Sequence, residues 1–144
     1  MALQPIMLPV SLMNAAGELT PVGSLARDRA DNITFSPSLD YREAGPRRPI
    51  LSARWHVPGD EDRTRARLKQ EADKSARQGL LPGWFANLLP EGALRDMVER
   101  GMPSGRTSDF DVIWHLGSDL PGGVVVGDGR EAHGGWSDWD PGSD

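Results

Sequence analysis

An α+β fold is predicted for this chain: a small curved antiparallel sheet or partial barrel carrying about three short helices. Three observations predict it. The first third holds short strand-like runs separated by strong turn signals. The second half holds two short amphipathic stretches punctuated by proline and glycine. A last β-branched run, Val124-Val125-Val126, follows the final helix. Mixed segments of this kind, in 144 residues, suit one domain of ordinary size with helices packed on a sheet.

The elements follow in order. Ile6 to Met13 alternates unevenly but reads as a strand, and Asn14-Ala15-Ala16-Gly17 reads as a turn. Leu19 to Ala26 is the second strand, with Val22 and Leu25 as its apolar points. Asp28 to Asp31 turns the chain into a third strand, Asn32-Ile33-Thr34-Phe35. Pro37, Pro46 and Pro49 bracket an irregular connection that holds the one tyrosine, Tyr41. Pro49 to Val57 alternates again and is expected to be a fourth strand, burying Leu51, Ala53, Trp55 and Val57.

From Gly59 to Gly79 the character changes. Five acids and six bases surround a single sizeable apolar residue, Leu68. This reads as a polar insertion, a solvated helix or mobile excursion, with Lys69 and Asp73 at supporting i, i+4 spacing. Leu80 to Leu89 returns to dense hydrophobicity. Phe85, Leu88 and Leu89 share the spacing of a core-facing stripe, and Trp84 lies off it or at its edge. Pro90 stops that helix.

The next helix runs from Glu91 to Arg100, with Leu94, Met97 and Val98 at helical spacing and Gly101 as its stop. Ser108 caps a third helix through Leu116, with Asp109 and Asp111 at its positive end. Its stripe is Phe110, Ile113, Trp114 and Leu116. Residues 128–144 are acidic, rich in glycine, and expected to be a disordered tail. Residues 1–127 are expected to form the domain.

Composition excludes several classes. There is no cysteine, so no disulfide framework and no thiolate metal site. No apolar run approaches a membrane span, and the start lacks the basic region of a signal peptide; a cytoplasmic protein is expected. The net charge is −5. Five acids in the tail face Arg130 alone, so −4 of that total sits there. The body is near neutrality, a poor basis for direct binding of nucleic acid.

Candidate chemistry is sparse. His56, His115 and His133 are too scattered for a zinc site, which wants at least three protein ligands. Gly122-Gly123 and Gly127-Asp128-Gly129 lack the flanking pattern of a phosphate loop. No catalytic loop, metal-binding Asp-Phe-Gly or nucleotide-pocket lysine of a kinase is present. The carboxylates Glu91, Asp96 and Glu99 read as a solvated helix face. No catalytic, cofactor-binding or metal-binding residue is therefore assigned. Trp84 remains, as a cap on the core rim or as an interface anchor, tryptophan being enriched among residues that dominate binding. Trp136 and Trp139 stand in a tail with no core of its own.

One ordered set of motifs goes further. Trp84-Phe85-Ala86-Asn87-Leu88-Leu89-Pro90-Glu91-Gly92 leads into Ala93-Leu94-Arg95-Asp96-Met97-Val98. Upstream lies Val22-Gly23-Ser24-Leu25, and downstream lie Asp109-Phe110 and Gly122-Gly123-Val124-Val125-Val126. The set resembles the N-terminal subdomain of HipA-type serine/threonine kinases, toxins of bacterial toxin–antitoxin modules. The likeness spans roughly Pro9 to Val126, the charged insertion excepted. A full kinase of that type needs about two further domains, so the chain resembles the small stand-alone HipS partner found in three-gene versions of the module.

That resemblance implies an antitoxin that binds and neutralises a shortened HipA-like kinase, with a helix-turn-helix DNA-binding protein completing a ternary complex. It implies partner contacts at Trp84, Phe85, Asn87, Leu88, Pro90, Glu91, Ala93 and Arg95. In some such proteins a bulky residue after the Pro-Glu-Gly break reaches the kinase active site; here that residue is Ala93. The start and the acidic finish lead us to expect a complete gene product. The alternatives are an N-terminal module of a longer kinase acting in cis, and an unrelated small enzyme.

Overall fold

The computed structural model describes residues 4–127; the acidic tail, with Trp136 and Trp139, lies outside them. Five antiparallel strands form one open sheet in the order β4-β3-β2-β1-β5. They are β1 (Ile6–Met13), β2 (Leu19–Arg27), β3 (Ile33–Pro37), β4 (Ser75–Ala76) and β5 (Val124–Val126). The helices are α1 (Leu39–Arg42), α2 (Glu61–Lys69), α3 (Gly83–Ala86), α4 (Gly92–Arg100) and α5 (Asp109–Leu116). The α+β expectation holds. Among the described residues, no helix is long and apolar enough to cross a membrane.

The turns that set the register are made by side chains. Asn14 Oδ1 accepts from the N–H groups of Ala16 and Glu18 at 2.9 Å, closing the β1–β2 hairpin. Asp28 Oδ1 does the same for Ala30 and Asn32 before β3. These short polar side chains satisfy backbone donors that a turn leaves without ladder partners. The register then places Leu8 opposite Leu25 and Leu25 opposite Phe35, so one sheet face is continuously apolar and buried. Met7, Ala26 and Thr34 align on the other face. Gly23 sits where β1 shifts register. A Cβ there would run into the Ser36 carbonyl oxygen and lie 3.0 Å from the Phe35 ring.

Helix α5 is the best-rooted helix. Ser108 and Asp111 form a reciprocal capping box at its N-terminus. Phe110, Val112, Ile113 and Trp114 are all buried, a wider buried face than the expected stripe. Val126 N–H donates to Gly117 O, which ties the end of α5 to β5.

Two expectations are corrected. Pro49 to Val57 is not a strand. Tyr41 donates its hydroxyl to Pro49 O at 2.6 Å and accepts from Leu51 N–H at 3.1 Å, so local partners take groups a ladder would have used. Ser52 then caps a single 3₁₀ turn, Ala53–Trp55. Leu51 and Trp55 are buried as expected, but Ala53 is exposed. The Lys69–Asp73 pair is also replaced, because Asp73 bonds to Trp55 and Lys74 instead.

The charged stretch is well integrated rather than loose. Its helix, α2, buries Thr64 and Leu68. Arg48, buried, grips Glu61 through two guanidinium nitrogens and also donates to the carbonyls of Tyr41 and Arg42. That arginine pulls Glu61 below the ordinary carboxylate range. The stretch ends in β4, which adds an edge strand to β3.

Candidate functional site

The predicted contact segment starts at Trp84 in α3, a helix begun where the Pro82 carbonyl accepts from the N–H groups of Phe85 and Ala86. Phe85 points inward. It is fully buried, with its ring 4.8 Å from that of Phe35. It therefore anchors the segment from below and offers no surface to a partner. Leu89 is buried beside the same core, and Leu88 is partly buried against it.

Trp84 sits at the core rim. Its ring meets Phe85 edge-on at 4.9 Å and Trp55 at 6.1 Å. It is partly buried, so it packs on the core while keeping one side open. Asn87, Glu91 and Ala93 are exposed and Pro90 is partly so. Gly92 has φ +59°, a conformation that L side chains rarely adopt, and it lets the chain reverse from Pro90 into α4.

Helix α4 has an apolar stripe that only Val98 brings against the core. None of its residues is buried. Leu94 is 58% exposed and Met97 is 65% exposed; at i, i+3 spacing they stand as neighbours on one helix face. Val98 is partly buried against the core. The amphipathic pattern was legible in the sequence, but not that its apolar side faces outward. Neither Leu94 nor Met97 was among the predicted contacts; the structure leaves both exposed on this face.

Arg95, expected to touch a partner, is already engaged within the chain. Its Nε donates to Glu99 Oε2 at 2.6 Å, and one Nη donates to Thr107 O and to Asp109 Oδ1, each at 3.1 Å.

Beneath this surface lies an aromatic and ionic support. Trp55 stacks on Phe35 at 5.6 Å with an interplanar angle of 8°. Lys74, buried, lies 4.6 Å over the Trp55 ring and donates to the carbonyls of Arg67 and Gln70 and to Asp73. Burial opposes the Asp73 charge. Hydrogen bonds from Trp55 and Lys74 outweigh it and hold that carboxyl below its ordinary value.

Elsewhere, Asp31 is pushed up by burial, with Arg27 opposing and Asp111 adding to the effect. Among the described residues, no group of three histidine, cysteine, aspartate or glutamate side chains is placed to hold a metal ion.

The class these features define is a small α+β domain with a core-rooted α3 and an outward-facing apolar α4. Residues 13–127 match the family described as the HipA N-terminal domain, and the chain belongs to that family. The matched range encloses the charged stretch and the motifs around Pro90. A stretch of 47 residues is 43% identical to "Putative kinase Y4dM" of Sinorhizobium fredii. It covers 33% of this chain and 12% of that protein.

Proposed function

We propose that this chain is an antitoxin of the HipS kind, which binds a shortened HipA-like serine/threonine kinase and neutralises it. The observation that carries the reading is the exposed Leu94–Met97 face of α4, in a domain of the HipA N-terminal family. Contiguous exposed apolar surface marks interaction sites, and Leu94 and Met97, two of eight large apolar side chains exposed among the described residues, are neighbours on one helix beside the Trp84–Gly92 segment. The contact region combines Trp84, Asn87, Leu88, Pro90, Glu91, Ala93, Leu94 and Met97. Ala93 is too small to obstruct a kinase cleft, which leaves obstruction by Trp84 or by the charged stretch, or the holding of the kinase in an inactive arrangement.

The chain itself neither catalyses phosphoryl transfer nor takes a cofactor, since its sequence has none of the parts that cradle nucleotide phosphates or hold magnesium. It acts in the cytoplasm, and a helix-turn-helix protein completes the complex on DNA.

A second reading has support in the much longer Y4dM: the same surface would then pack on a kinase core in cis. Co-expression separates the two. Produced as its own chain beside a HipA-type kinase lacking this domain, the protein relieves the growth arrest that the kinase causes. Unrelieved arrest, with both proteins present and folded, contradicts the antitoxin reading.

A further inference from the structure

We propose that Arg95 is a positioning residue, a latch that holds α4 in the conformation competent to dock. This rests on the reading of α4 as a partner-binding helix. The need for a latch follows from how little else holds α4. It has nine residues, none buried, whereas isolated helices shorter than about 12 residues are marginal in water. Pro90 lies just before it, Gly92 is its first residue, and Gly101 caps its end. Its hydrophobic attachment is limited to partly buried Val98 and, just past its end, buried Met102.

Arg95 supplies the rest. From the middle of α4 its guanidinium reaches Thr107 O and Asp109 Oδ1, both at 3.1 Å. Asp109 is the first residue of α5, whose start is fixed by the Ser108–Asp111 box and whose body is buried. The latch therefore joins the most loosely seated of the three longer helices to the most firmly seated one. Glu99, one turn on, accepts from Nε at 2.6 Å and orients the fork. The arginine side chain is 20% exposed, which shields the bonds from solvent screening. With the latch closed, Leu94 and Met97 are presented on an ordered helix, and the partner does not have to supply the ordering free energy.

The test uses the full chain and the Arg95→Met variant, which keeps the aliphatic stem. Amide hydrogen exchange is read across 95–100 and, as a control on folding, across β1 and β2. A HipA-type kinase lacking this domain is the binding probe. The expected result is about tenfold faster exchange in α4 with unchanged protection in the sheet, and about tenfold weaker binding. Leu94→Ser should weaken binding while speeding α4 exchange far less than Arg95→Met does, since it costs only the small difference in helix propensity.

Unaltered α4 exchange in Arg95→Met overturns the latch. Faster exchange with undiminished affinity overturns the positioning role, provided Leu94→Ser still weakens binding. A kinase that binds wild type and Leu94→Ser equally overturns the docking role of α4, and the positioning role with it; a kinase that does not bind wild type overturns the parent reading.

Discussion

The indole Nε1 of Trp55 donates to Asp73 Oδ2 across 2.7 Å. Asp73 belongs to the most heavily charged stretch of the chain, while Trp55 stacks on Phe35 in the core. This bond makes the charged stretch part of the support beneath Trp84. Asp73→Ala removes it and leaves buried Lys74 without its carboxylate. Hydrogen bonds to charged groups contribute about 1.5–3 kcal/mol, so a loss of about 2 kcal/mol is expected in denaturant unfolding at pH 7.

The pH dependence has a definite sign. Asp73 titrates lower in the folded chain than when unfolded. Its contribution is present above the ordinary aspartate value, about 3.9, and is lost as pH falls through the lower folded value. The stability gap between wild type and Asp73→Asn should hold from pH 7 to about 5 and close below about 4. A gap that persists undiminished into strong acid would show that packing, not charge, carries the interaction.

Gly23→Ala should destabilise by about 2 kcal/mol, in the range for forced overpacking. The added methyl would meet the Ser36 carbonyl and the Phe35 ring where β1 shifts its register. Thermal unfolding is the check, with Gly17→Ala, which meets no atom within 4 Å but has φ +82°, reporting the cost of backbone strain alone.

Much of the fold was legible because its signals are local. Asn14 and Asp28 mark turns by bonding their own neighbours, and Ser108 with Asp111 spells out a cap. The misses have a common cause in long-range partners. Residues 49–57 alternate like a strand, yet Tyr41 takes the Pro49 carbonyl and the Leu51 N–H. Ser75 and Ala76 carry no strand preference; β4 exists because β3 offers an edge, with Phe35 N–H on Lys74 O at 2.7 Å. A buried lysine is foreseeable only when the carbonyls that surround it are known. An amphipathic helix such as α4 has the same sequence pattern whether its apolar side meets a core or another molecule.

Trp84→Ala should weaken the kinase complex by about 2 kcal/mol or more, the range for a hot-spot tryptophan. Because Trp84 also packs on Phe85 and Trp55, the variant should lose stability as well. Affinity is therefore compared at a temperature where the variant is shown to be folded. A folded variant that binds as wild type assigns Trp84 to the core rim alone.

Calorimetric titration of the chain with magnesium-ATP should show no specific heat of binding, since the sequence offers no phosphate cradle and no metal-holding pair of the kinase type. Micromolar binding would overturn the non-catalytic reading.

The central claim is that α4 presents Leu94 and Met97 to a kinase. Calorimetry between the full chain and a HipA-type kinase lacking this domain tests it most directly, with the double variant Leu94→Ser/Met97→Ser as comparison. Both side chains are already in water, so the variant's own melting temperature should be nearly unchanged, while its affinity falls at least tenfold. Equal affinity of wild type and variant for the kinase would contradict the claim.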